Sequence, residues 1–218
     1  MEKRVLSMLA CVAICTLAMS TTSKANLLVD PGTEGAVTGP GGIGGWSLFN
    51  GAAFSTDFAH SGTNSIKEAG PGGFTVPGAF QTFAASPGNT FTMTAFGLQP
   101  TVPAVNVNTW GALQITFFSG PGGTGTNLGT TDTTPGNAKV GNKVDSSSPA
   151  GVWVPLSVTA TAPAGAASVQ VFDLVLDATA TTVYFDDHDL ELVPEPSTVA
   201  MALTGLLGLV AFAKKRRV

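Results

Sequence analysis

Apolar and polar residues alternate with a period of two in several short runs, and this alternation commits the chain to β-structure. Phe91, Met93 and Ala95 point one way and Thr92, Thr94 and Phe96 the other, while Leu113, Ile115 and Phe117 oppose Gln114, Thr116 and Phe118. Successive strand side chains lie on opposite faces, so each run buries one face and exposes the other. A short apolar run at 26–30 ends at Pro31-Gly32, and Trp46 resumes the sheet after a glycine-rich stretch at 35–45. Three β-rich runs follow at 152–161, 168–176 and 182–192, separated by Pro163-Ala164-Gly165 and Asp177-Ala178-Thr179. Residues 119–149, dominated by Gly, Thr, Asn, Asp and Ser, read as a long polar loop or irregular hairpin. Many short strands punctuated by turns predict an all-β fold, an antiparallel two-sheet sandwich.

The two ends follow different rules. Lys3 and Arg4 precede an apolar run at 5–19 and then Ser23-Lys24-Ala25, the order of a secretory signal peptide helix that signal peptidase cuts after Ala25. Both cysteines, Cys11 and Cys15, fall inside that leader, so the remaining chain has no disulfide and no thiol. Residues 198–213 carry no charge; as a helix they span roughly 24 Å, short of the ~30 Å hydrocarbon core but enough for a transmembrane helix. Lys214, Lys215, Arg216 and Arg217 keep that end cytoplasmic. The predicted organisation is a signal peptide at 1–25, an extracytoplasmic β-sandwich domain at 26–193 and a membrane-directed tail at 194–218.

That tail resembles a known signal. Pro194-Glu195-Pro196, a short run built on Leu203, Gly205, Leu206, Leu207, Gly208 and Leu209, and the terminal basic cluster are similar to the PEP-CTERM sorting signal of Gram-negative bacteria. The resemblance implies recognition by an exosortase, inner-membrane anchoring in transit, and then a place at the cell surface or outside the cell.

The domain carries a second resemblance. Asn26-Leu27-Leu28, Pro31-Gly32-Thr33-Glu34, Gly45-Trp46, Trp153-Val154-Pro155-Leu156 and Val183-Tyr184-Phe185-Asp186-Asp187 resemble the galactose-binding-like jelly roll of carbohydrate-binding modules. The resemblance implies two antiparallel sheets, adjacent first and last strands, a structural calcium near the chain ends, and Trp46 and Trp153 in the core.

Charge narrows the partners. Within 26–193 three lysines stand against twelve acidic residues, a net charge of −9, which repels nucleic acid because phosphate neutralisation needs clustered Lys or Arg. Asp186, Asp187, Asp189 and Glu191 crowd one run. With Glu34, Asp186 and Asp187 offer the hard oxygens that calcium takes; the other reading is a solvated acidic edge that discourages edge-to-edge pairing. Trp110, with Asn108 and Gln114 close by, is the candidate sugar platform. The two G-rich strings at 39–44 and 120–126 read as turns, since neither opens a βαβ unit nor carries a phosphate-loop lysine. His60 and His188 are the only histidines, and His188 reads as an exposed strand residue or an auxiliary metal contact. The acids cluster on one run instead of flanking a groove, so no enzyme is predicted. The expected function is an exported, non-enzymatic surface or matrix protein that binds exopolysaccharide. The alternatives are a structural or interaction sandwich without a glycan ligand and, last, a glycoside hydrolase.

Overall fold

The computed structural model describes residues 25–35, 38–39, 42–43, 45–100, 109–132, 143–193 and 205. The leader at 1–24, Asn108, the Pro194-Glu195-Pro196 triplet and the basic cluster at 214–217 lie outside the described residues, as does the expected tail helix except for Gly205. Among the described residues no helix is long and apolar enough to cross a membrane.

The alternating runs form the sheets. A small hairpin pairs β1 (Thr38–Gly39) with β2 (Gly42–Ile43). The other strands make two five-stranded antiparallel sheets. The first has the order β10 (Val154–Thr161), β7 (Thr90–Leu98), β12 (Thr179–Val193), β5 (Ser65–Gly72), β4 (Ala52–Ser55). The second runs β3 (Ser47–Phe49), β6 (Gly78–Ala84), β11 (Ser168–Asp177), β8 (Thr109–Phe118), β9 (Asn127–Asp132). Phe91, Met93 and Ala95 of β7 and Leu156 and Val158 of β10 meet Leu113, Ile115 and Phe117 of β8 and Val169 and Val171 of β11 in one buried core. Each fully buried aliphatic or aromatic side chain contributes about 1.5–3 kcal/mol, and the inward set on β7 and β8 is the set that the alternation predicts.

One expectation is corrected and one is narrowed. Residues 26–30 form no strand, because the Gln81 side chain stands where a neighbouring backbone would: it accepts from Val29 N at 3.0 Å and donates to Val29 O at 2.7 Å. The segment still lies against the last strand, with Leu27 N donating to Leu190 O at 2.9 Å and the Asn26 side chain bonding Leu190 N and His188 O. Of the two readings of 119–149, loop or irregular hairpin, the structure has the hairpin: β9 pairs with β8 through an irregularity at Phe117–Phe118. The stretch holds a 3-10 turn at Pro121–Gly123, the strand β9 and the fully buried Val144, which bridges Gly111. Gly97 makes room for Val144, since a Cβ there would stand 2.5 Å from its Cγ2, while Gly111 makes room for Phe185 and Val183, each of which a Cβ would meet at 2.9 Å.

Candidate carbohydrate-binding face and acidic junction

Strand parity places the outward residues of the second sheet. With Leu113, Ile115 and Phe117 inward, Trp110 and Gln114 share the outer face of β8; both are half-buried. Register then puts Phe172 of β11 opposite Gln114 and Leu176 opposite Trp110, and Phe80 of β6 opposite Phe172. With Phe49 of β3 these rings form an aromatic cluster, Phe80 to Phe172 at 5.2 Å, Phe49 to Phe80 at 6.1 Å and Phe49 to Phe172 at 6.4 Å, near perpendicular. Gly78 lets Phe49 lie down, since a Cβ there would sit 2.5 Å from Phe49 Cζ and 2.8 Å from the Asp173 carbonyl oxygen. Tilted and edge-on ring pairs of this kind add about 0.5–1.5 kcal/mol beyond burial, so the platform is rigid.

Polar groups border the rings. Gln170 Nε2 donates to Thr82 Oγ1 at 3.2 Å and Gln114 Nε2 to Thr116 Oγ1 at 3.1 Å, so both amides are held at the border of the rings. Lys143 Nζ stands 5.3 Å over the Trp110 ring and pairs with Asp145 at 2.9 Å. At the opposite end the Pro121–Gly123 turn folds onto β11, with Gly123 N donating to Ser168 Oγ. A cavity of about 350 Å³ opens beside it, lined by Gly45, Ser47, Thr82, Phe83, Pro121 and Gly122.

The carboxylates named for calcium meet elsewhere, at one end of the first sheet. A register shift between Asp186 and Asp189 lets β12 bulge, and Asp187 takes φ +48°. The bulge reverses strand parity, so Asp187 turns out to the 60–64 loop and His188 turns in. His188 is therefore 2% exposed, and its reading as an exposed strand residue is corrected. Asp186 accepts from His60 N, Ser61 N, Asp187 N and Thr33 Oγ1. Burial still raises its carboxyl above the usual range. Asp187 accepts from His60 Nδ1 at 2.5 Å and Ser61 Oγ at 2.6 Å. Burial works to raise Asp187, and these two bonds outweigh it and lower it. Glu34 accepts from Thr63 N, Thr63 Oγ1 and Asn64 N, and the Thr63 bonds hold it low while the Asp187 charge works against it.

The structure thus gathers Glu34, Asp186 and Asp187 around one loop. Their oxygens are hard donors of the kind calcium prefers, and the repulsion between Asp187 and Glu34 is one that a cation would relieve. Among the described residues no group of three or more His, Asp or Glu side chains converges as a metal cage. Trp46 is buried as the resemblance implies, with Nε1 donating to Asp30 O. Trp153 is only half-buried and stands edge-on to His60, whose ring stacks on Phe96 at 3.8 Å. Alternation in VQVFDLV turns Phe172 outward, but FQTF carries phenylalanine on both parities, so the meeting of Phe49, Phe80 and Phe172 is not legible in the sequence.

Comparison with known proteins settles the tail and the fold. Residues 192–217 match the PEP-CTERM protein-sorting motif. The chain carries a PEP-CTERM sorting tail. No curated protein matches the sequence. Among solved structures, the C-terminal family 22 carbohydrate-binding module of Clostridium thermocellum Xyn10B is similar with a TM-score of 0.51 and 18% identity, over 78% of this chain and 96% of that one. The N-terminal tandem of family 22 modules from Paenibacillus barcinonensis Xyn10C gives a TM-score of 0.53 and 15% identity, over 81% of this chain and 48% of that one. At these identities the likeness shows the fold alone: the described domain is an all-β jelly-roll sandwich of two antiparallel sheets, similar in architecture to those modules.

Proposed function

We propose that this is an exported, non-enzymatic cell-surface or matrix protein, sorted by an exosortase through its tail after signal peptidase removes the leader. In this reading the jelly roll grips a neutral exopolysaccharide on the outer face of the second sheet. The observation that carries the reading is the Phe49, Phe80 and Phe172 cluster bordered by Gln114 and Gln170. Rings stack on the apolar face of a sugar, and amides take its hydroxyls. Among the described residues Lys143 is the cation at this face, and Asp145 already holds it, which favours a neutral chain over an anionic one. Trp110 and Gln114 belong to the proposed face; Asn108 lies outside the described residues.

The acids support a binding protein over a hydrolase, because Glu34, Asp186 and Asp187 bond the 60–64 loop instead of facing each other across the aromatic cluster. Calcium at Glu34, Asp186 and Asp187 is proposed as a structural cation that ties the N-terminal segment and the loop to β12. Binding of the wild-type chain and Phe172→Ala to an array of neutral and anionic polysaccharides tests the main reading. The expected result is capture of a neutral chain, weakened about tenfold, or ~1.4 kcal/mol, by the substitution. Equal capture by both proteins would remove this face.

A further inference from the structure

Three ionisable groups that belong to neither site meet between the sheets. Glu68 of β5 and Asp173 of β11 are fully buried, and His188 of β12 nearly so. His188 Nε2 and Asp173 Oδ2 share a hydrogen bond at 2.8 Å, Ala79 N donates to Asp173 Oδ1 at 3.1 Å, and the Trp46 ring covers His188 at 4.6 Å. Among the described residues no donor reaches either oxygen of Glu68. A buried carboxylate without a donor is costly, whereas a protonated carboxyl beside a carboxylate supplies the donor itself.

The surroundings of Glu68 leave one charge to consider. Register sets Ala52 of β4 and Val183 of β12 opposite it, and Asp173 is the acid that faces it from β11. Asp177, at the far end of β11, is engaged by Gly72 N, Val76 N and Thr75 Oγ1, and Asp186 by the 60–61 amides.

We propose that Glu68, Asp173 and His188 form a proton-held latch between the two sheets, in which the Glu68 hydroxyl, His188 Nε2 and Ala79 N–H converge on the Asp173 carboxyl. Burial, and then the charge and hydrogen bond of Asp173, push the Glu68 carboxyl well above the ordinary range. Because the folded-state value is the raised one, the latch contributes fully below the ordinary glutamate range, and its contribution is lost as pH rises through the folded value. Loss of the proton sets two carboxylates against each other in the core. Asp173 and Ala79 are chain neighbours of Phe172 and Phe80, so opening the latch disturbs the backbone beneath the aromatic cluster.

Urea unfolding of the full-length wild type and Glu68→Gln from pH 5 to pH 9 tests the latch, since Gln keeps a donor and cannot ionise. The wild-type unfolding constant is expected to rise by up to tenfold per pH unit above that of the variant. Parallel pH profiles would overturn the proposal. Should Glu68→Gln fail to fold, infrared spectra of the wild type at neutral pH decide: a protonated-carboxyl carbonyl band that vanishes in alkali supports the latch, and its absence at neutral pH overturns it.

Discussion

The outer faces of the two sheets are built from the same alternation and do opposite things with it. On the first sheet β7 and β10 present facing threonines, and Thr90 pairs with Thr161 and Thr92 with Thr159, hydroxyl to hydroxyl at 2.9 Å. That face satisfies itself, since cross-strand hydroxyl pairs use the groups a ligand would need. The second sheet presents Phe49, Phe80 and Phe172 beside amides held at the border of the rings. These half-buried rings stabilise one another yet still present part of their surface outward. A face that keeps them fixed with polar groups at their border is suited to binding.

The largest expected effect lies at the end of the first sheet. At a hundredfold excess over its dissociation constant, calcium should stabilise the folded state by about 2.7 kcal/mol, several degrees of melting temperature for a chain of this size. Glycan affinity should stay unchanged, and Asp187→Asn should remove the shift. Equal melting in chelator, calcium and magnesium would remove the cation and leave the 60–64 loop donors as the whole junction.

Gly78→Ala attacks the second face from below. Its Cβ would press on Phe49 and on the Asp173 carbonyl oxygen, and overpacking of this kind costs about 1–3 kcal/mol. Thermal melting and glycan binding should fall together. Loss of stability with unchanged binding would show that Phe49 is not part of the platform.

How far these faces were legible in the sequence follows from what periodicity encodes. Alternation within a strand gave the inward sets of β7 and β8, and it put Trp110 and Gln114 on one face. It does not carry register, so the meeting of Phe80 with Phe172, which are far apart in the chain, became visible only once β6 and β11 paired. His188 was misplaced because the bulge after Asp186 changes parity without leaving a glycine or proline to mark it. Val144 was passed over inside a polar stretch, since its slot is opened by Gly97 and its backbone partner is Gly111, both on other strands. Glu68 carries no motif of its own in the sequence; only its shared strand parity with the buried Ile66 marks it as inward.

The smallest effect should come from the first face. Thr159→Ala breaks one exposed hydroxyl pair with Thr92 and should cost about 0.2–1 kcal/mol, with glycan affinity unmoved. A drop in affinity would mean that the threonine face, not the aromatic one, meets the ligand.

The most direct measurement is an amide and side-chain chemical-shift map of the isotope-labelled protein titrated with the neutral polysaccharide that it captures. The account predicts saturable shifts concentrated at Phe49, Phe80, Gln114, Gln170 and Phe172, with Thr92 and Thr159 unmoved. Shifts centred on the threonine face, or no saturable shifts on the aromatic face, would contradict it.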